Sequence, residues 1–383
     1  MNNTKSSTFN RIVWVDILRA LAIFMVICIH CSDPFNVSPE ARANPEFSFW
    51  GSLYGSLLRP CVPLFVMITG ILLLPVKQTA NVFYKKRLSR IFFPFLIWSV
   101  LYNLFPWITG LLGLHTEVIS SVFAYAGADA SQSFQSALQN ILLIPFKFNV
   151  YTVPMWYLYM LIGLYLYMPV FSSWIEKATV KEKQFYLGLW FLTLFLPYLY
   201  YYFASDLFGL SSWNTFGTFY YFAGFNGYLL LGNYLKNHVK PLSLSKTLLI
   251  AVPLFVTGYL VTYFGFKSIT SNPNCSETDM EMFFLYCSPN VLFMTIAFFL
   301  LVRKIQVKSE RIISMLANIS KCGLGIYVVH YFVVGFCYAT ADLFNVPVSI
   351  RIPVTAVFSF GISWAFVALF FRLIPKASKW IFG

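Results

Sequence analysis

The chain has 383 residues, 58% of them hydrophobic, 20% aromatic and only 11% charged, with a formal net charge of +13. So few charges cannot cover the surface of a soluble protein of this size, and the apolar residues come in long runs, which excludes a soluble domain and points to a polytopic membrane protein. The positive charge reads as basic residues on the cytoplasmic side of a membrane and not as a nucleic-acid footprint.

Taken in chain order, about ten apolar stretches are long enough to cross at roughly 20 residues per helix. They are expected at 12–32, 53–75, 91–113, 154–174, 185–204, 217–235, 247–266, 282–302, 323–344 and 352–374. The expected fold is therefore an all-α polytopic integral membrane protein, a single domain over 1–383. The first stretch follows basic residues as a signal peptide would. It is interrupted by Asp16 and Arg19 and no small-residue cleavage site follows, so it is read as a retained span. The longest connection, 114–153, contains the semi-apolar piece FQSALQNILLIPF, expected to form a short interfacial or re-entrant helix.

Charge tests this layout. With both termini cytoplasmic, most of the 27 Lys and Arg residues fall on the inner side, and Arg42, Arg59, Lys147, Lys267 and Arg351 are the outer exceptions. Acids run the other way, with Asp33, Glu40, Glu46, Glu117, Asp129, Asp206, Glu277, Asp279, Glu281 and Asp342 expected outside. The basic bias sets orientation, and it never swaps along the chain. No repeated halves and no helices interrupted in matching positions are visible in the sequence, which speaks against a transporter or flippase with a polar central path. A non-enzymatic receptor has no need of charges inside its first span.

Seven scattered cysteines give no disulfide framework and no paired metal spacing. Cys275 and Cys287 flank one loop and are expected to pair only if it faces an oxidising compartment. The stretch Cys28-Ile29-His30-Cys31 does not have the haem-attachment order, ends a membrane helix where a redox pair would begin an exposed one, and has no further ligand cluster for zinc. The two cysteines read as small apolar fillers, and no metal site is expected.

Asp16 and Arg19 each cost roughly 2.5–3.5 kcal/mol to insert at a helix centre, and such residues usually face the bundle interior and mark function. At about 100° per residue, His30 returns to within about 20° of Arg19 and about 40° of Asp16. The three share one face, with Arg19 and His30 about 16 Å apart along the axis. The bland alternative is an i, i+3 pair of Asp16 and Arg19 that only anchors the helix. In YKKRLSRIFFPF, Lys85, Lys86, Arg87 and Arg90 stand at the cytoplasmic mouth of the third span. Part of that cluster is topogenic, yet Arg87 and Arg90 at i, i+3 project together and suit a phosphate-rich ligand. His330 is a second intramembrane histidine, with Tyr327 three residues before it on the same face.

These residues resemble the bacterial membrane acyltransferase-3 family, which modifies cell-envelope glycans. WVDILRALAIFMVICIH is similar to its opening helix, with an Arg, ten residues and a His matched by Arg19 and His30. Arg87-Leu-Ser-Arg90 resembles its Arg-x-x-Arg pair, and PCVPLFVMITGILLL its second helix. MWYLYMLIGLYLYMPVF, with Trp156, resembles its Trp-aromatic-Leu helix, and LGIYVVHYFVV its Tyr-x-x-His helix.

The resemblance implies about ten helices in the bacterial inner membrane and no permanently bound cofactor. It also implies acyl-CoA, most simply acetyl-CoA, as co-substrate from the cytoplasm. The acceptor it implies is a hydroxyl of a glycan or lipid-linked sugar, with membrane lipids as surroundings. His30, Asp16 and Arg19 are then expected to be catalytic, Arg87, Arg90 and Arg19 to hold the acyl-CoA, and Tyr327, His330 and Trp156 to support. Succinyl or another acyl group is left open. Because the chain ends at Gly383, soon after its last span, it is expected to lack the fused extracytoplasmic hydrolase-like domain of some relatives and to transfer directly.

Overall fold

The computed structural model describes residues 11–113, 132–203, 209, 211–214, 217–272 and 274–383. It is helical throughout, and the only β pairing among the described residues is an isolated bridge between Ser211 and Asn214. The main helices are α1 (Val13–Ser32), α2 (Pro39–Ala43), α3 (Pro45–Leu57), α4 (Cys61–Leu73), α5 (Ala80–Leu111), α6 (Phe134–Leu142), α7 (Trp156–Lys177) and α8 (Val180–Thr193). They continue with α9 (Leu196–Tyr202), α10 (Asn226–Asn237), α11 (Leu244–Thr270), α12 (Pro289–Val302), α13 (Glu310–Leu343), α14 (Val348–Leu373) and α15 (Pro375–Ile381).

Eight stretches among the described residues are long and apolar enough to cross a membrane. They are Val13–Phe35, Pro45–Leu73, Ala80–Leu111, Val153–Lys177, Leu244–Thr270, Met282–Val302, Glu310–Leu343 and Val348–Leu373. The two remaining stretches expected from hydropathy are interrupted. Helix α8 stops at Thr193, and Pro197 restarts the chain as α9, because proline fits a first helical turn and breaks an interior one. A 3-10 turn at Gly217–Phe222 and Gly224, at φ +93°, precede α10. The interruptions are neighbours, not counterparts in two halves. In the long connection the piece expected to be a short helix forms α6, capped by Ser133, while 114–131 lies outside the described residues.

Helix α1 is the hub. Its 20 residues span about 30 Å, the thickness of a bilayer's hydrocarbon core. It packs on α4, α13 and α14, burying Leu18, Ala22, Ile23 and Met25 to 2% exposure or less. In lipid such contacts rest on close packing, which favours small residues at crossings. At the α4–α10 crossing, a Cβ on Gly70 would lie 2.0 Å from the Leu229 carbonyl oxygen, and one on Gly232 would lie 2.3 Å from that of Met67.

Two helices begin earlier than expected, α5 at Ala80 and α13 at Glu310, so the whole basic cluster is helical. The start of α1, the start of α5 and the C-terminus meet at one end of the bundle. Ser320 Oγ on α13 donates to Asp16 Oδ1 at 2.6 Å. Trp98 Nε1 on α5 donates to the Ile381 carbonyl at 2.9 Å, and Gly383 lies against the Arg90 carbonyl. Cys275 and Cys287, which the sequence allowed to pair only in an oxidising compartment, are free thiols. Cys275 Sγ instead lies 2.8 Å from Arg42 Nη1, and Cys287 packs against the main core.

Candidate active site

Asp16 is buried, at 6% exposure. It accepts from Arg11 Nε and from Ser320 Oγ, and its Oδ1 lies 3.7 Å from Arg19 Nη1. A buried carboxylate must be paired, and this one ties α1 to α13 and steadies Arg19. It lies about 21 Å along the helix from His30, so the two do not reach the same reacting atoms. The partners of Asp16 in the structure are Arg11, Ser320 and Arg19.

Above Asp16 a cavity of about 210 Å3 opens between α1, α4, α5, α7 and α13. Arg19, Arg87, Arg90 and Lys321 line it, with Tyr157, Tyr165 and Tyr327, and no acidic side chain is among its lining residues. A Cβ on Gly323 would lie 3.3 Å from Ile23 Cδ1 and at an ordinary contact distance of 3.7 Å from Arg19 Cδ, so the arginine packs directly over this position. A wider vestibule of about 420 Å3 shares Arg90 and Lys321 and adds Lys379 and Trp380. Lys321 Nζ sits 4.9 Å over the Phe371 ring, and Trp380 packs edge-on against Phe93 at 4.6 Å. Apart from Asp16 near Arg19, these converging cations have no acidic side chain beside them among the lining residues, a setting that favours an anion, and guanidiniums suit phosphate oxygens.

The far end of α1 is built differently. Helix α1 runs into a 3-10 turn at Asp33–Phe35, with Pro34 in its first turn. This swings Asp33 back so that its Oδ2 lies 2.9 Å from His30 Nδ1. With Nδ1 donating to the carboxylate, Nε2 is the ring nitrogen left to accept a proton. The His30 ring stands 5.3 Å from the His330 ring and edge-on to Tyr331 at 5.3 Å. His330 is fully buried. Its Nδ1 donates to the Tyr327 carbonyl, so Nε2 carries the lone pair, and it has no hydrogen-bond partner among the described residues.

A run of packed rings lies between the two ends. Tyr157 and Tyr327, which close the cavity, stand 5.2 Å apart, and Tyr327 is 5.4 Å from His330. The Tyr327 hydroxyl donates to the Pro154 carbonyl at 2.6 Å, fixing that wall. The structure thus brings Arg19, Arg87 and Arg90 together at one end and His30 and His330 at the other, with Tyr327 between. Trp156 does not line the basic cavity. It stacks on Tyr286 at 5.4 Å and faces another cavity.

Four contributors were missed in the sequence. Asp33 had a readable signal, the i, i+3 spacing to His30. Tyr157 and Lys321 are legible only once helices pack, and Trp380 sits on the short α15, beyond the expected spans.

A family model described as an acyltransferase domain matches residues 12–368. No curated protein and no solved structure matches the chain.

Proposed function

The chain belongs to the acyltransferase-3 family, a membrane acyltransferase by that membership, and from this premise we propose that it moves an acyl group from acyl-CoA to a hydroxyl of a cell-envelope sugar. Acetyl is the simplest donor group, and the bacterial inner membrane is the location that fits. The observation that carries the reading is the cavity in which Arg19, Arg87, Arg90 and Lys321 converge and whose closed end, Tyr157 and Tyr327, leads to His330 and His30.

In this reading the phosphates of CoA sit among the arginines and lysines at the basic mouth. Lys379 and Trp380 in the vestibule suit the nucleotide end, one by charge and the other by offering a ring to stack on. The pantetheine arm then runs inward past Arg19 towards Tyr327, which places the thioester near the histidines and not at the arginine.

A thioester is already activated, so the demand on the protein is to take the hydroxyl proton and hold an oxyanion. His30 Nε2 takes the proton as the hydroxyl oxygen attacks the thioester carbonyl. The C–S bond then breaks, and the proton passes to the departing thiolate, giving ester and free CoA. Asp33 holds His30 in the tautomer this requires and compensates the imidazolium as it forms. His330 Nε2 is an acceptor suited to orienting the attacking hydroxyl. Arg19 steadies the donor arm, since about 16 Å separates it from His30.

The test is mass spectrometry of envelope glycans from cells with the gene, without it, and with His30→Ala. An added acyl mass in the first and its loss in both others is expected, and the mass names acyl group and acceptor together. Full modification by His30→Ala would overturn the catalytic assignment.

A further inference from the structure

A second cavity, of about 810 Å3, lies on the other face of α7 and is unused by the donor pathway. Tyr157, Leu161 and Tyr165 face the basic cavity, whereas Trp156, Met160, Gly163 and Tyr167 face this one. Glu176, near the end of α7, pairs with Lys77 at 2.8 Å just before the basic cluster of α5. Trp156 is thus about 30 Å from that end, at the same end of the bundle as His30.

We propose that this second cavity holds the acyl acceptor, as a neutral sugar carried on an apolar chain; the word acceptor rests on the acyl-transfer reading above. No charged side chain is among the lining residues, so the site selects a neutral group. The stacked pair Trp156 and Tyr286, with Phe225, offers flat apolar faces of the kind that pack against the C–H face of a sugar ring. Trp156 Nε1 makes no hydrogen bond among the described residues. Asn226 Nδ2 donates to Tyr186 Oη at 2.7 Å, leaving its Oδ1 as an acceptor. One donor and one acceptor beside aromatic faces are what a hydroxyl-rich ring requires, and the apolar depth at Met160, Leu164 and Tyr167 suits a hydrocarbon chain.

Two further observations point the same way. The cavity is lined by both helix interruptions, Thr193–Pro197 and Ala223–Asn226. Broken backbone is tolerated at membrane depth only where it is buried in protein or lines a cavity. Gly163 is mid-helix, and a Cβ there would meet nothing within 4 Å, unlike Gly70 and Gly232 at their crossing. The space beside Gly163 is therefore open to a larger side chain. Trp156 is the chain neighbour of Tyr157, 6.3 Å away between rings, so this cavity abuts the wall of rings that runs from Tyr157 through Tyr327 and His330 to His30.

The test uses the full chain in nanodiscs of phosphatidylethanolamine and phosphatidylglycerol, photolabelled with a diazirine-bearing dodecyl β-D-glucoside. Dodecyl β-D-glucoside, glucose and dodecanol serve as competitors. Label is expected on the 156–167 and 220–226 segments, with the glucoside competing at least about tenfold better than either half-molecule. Gly163→Trp, which fills the space without a backbone clash, should cut labelling by about tenfold or more. Acetyl-CoA binding should change by less than about twofold in the same preparation, which also reports that the variant is folded. Trp156→Ala should weaken labelling through the lost stacking face. Dodecanol competing as well as the glucoside would mark a plain lipid site and overturn the proposal, as would undiminished labelling of Gly163→Trp. The labelling needs no acyl-CoA, so failure of the transfer reading shows separately, as wild-type protein that binds no acetyl-CoA. Wild-type glycan modification by Gly163→Trp beside an inactive His30→Ala would overturn the cavity assignment alone.

Discussion

The two ends of α1 start from the same sequence signal, a polar side chain in an apolar helix, and are built for opposite purposes. At the arginine end the only acidic compensation among the described residues is Asp16, which binds Arg11 and Ser320 and lies near Arg19. Arg87, Arg90 and Lys321 face the cavity with no carboxylate partner among the described residues. At the histidine end the polar groups are closed on one another, His30 on Asp33 and His330 on the Tyr327 carbonyl. Uncompensated charge beside an open cavity is poised for a ligand that brings the opposite charge. A satisfied imidazole with one free nitrogen is poised for a proton. On the proposed reading, the polar face of α1 serves two sites about 16 Å apart, with tyrosines between them.

The comparison breaks most visibly if the arginine end turns out to do chemistry. Arg87→Ala with Arg90→Ala should weaken acetyl-CoA binding about 100-fold, two charge-assisted contacts of roughly 1.5 kcal/mol each. Turnover at saturating donor should stay within about threefold; a collapse of kcat with unchanged affinity would reverse the roles. Asp16→Asn removes the carboxylate charge that holds Arg11 and steadies Arg19. It should destabilise the protein by about 2–3 kcal/mol, read as a lower melting temperature in detergent. Once folded and saturated, the variant should turn over near the wild-type rate, and a folded but inactive Asp16→Asn would return Asp16 to the chemistry. The smallest effect is expected at Asp33→Asn. Losing the carboxylate that orients His30 should lower kcat about tenfold with donor affinity unchanged. No change in kcat would make the His30–Asp33 bond incidental.

The helical membrane fold was legible because long apolar runs are the strongest signal a sequence carries, and the common face of Arg19 and His30 followed from helical geometry alone. What failed to read was set by irregular backbone. The breaks at Leu194–Phe195 and Ala223–Phe225 fall inside apolar runs that hydropathy counts as continuous. Asp33 was taken for an outer-loop acid because the 3-10 turn that folds it back onto His30 leaves no periodic trace. Lys321 and Tyr157 become site residues only through the packing of α13 and α7 around α1, which a single sequence does not encode locally. Cys275 and Cys287 show the converse, a loop position that suggested a bond where the side chains found other neighbours.

The separation of the two ends is tested most directly by titrating acetyl-CoA into purified His30→Ala by calorimetry, with acyl transfer measured on the same sample. The account predicts donor affinity within about twofold of wild type and transfer lower by about 10³-fold. Retained transfer, or donor binding lost together with activity, would contradict it.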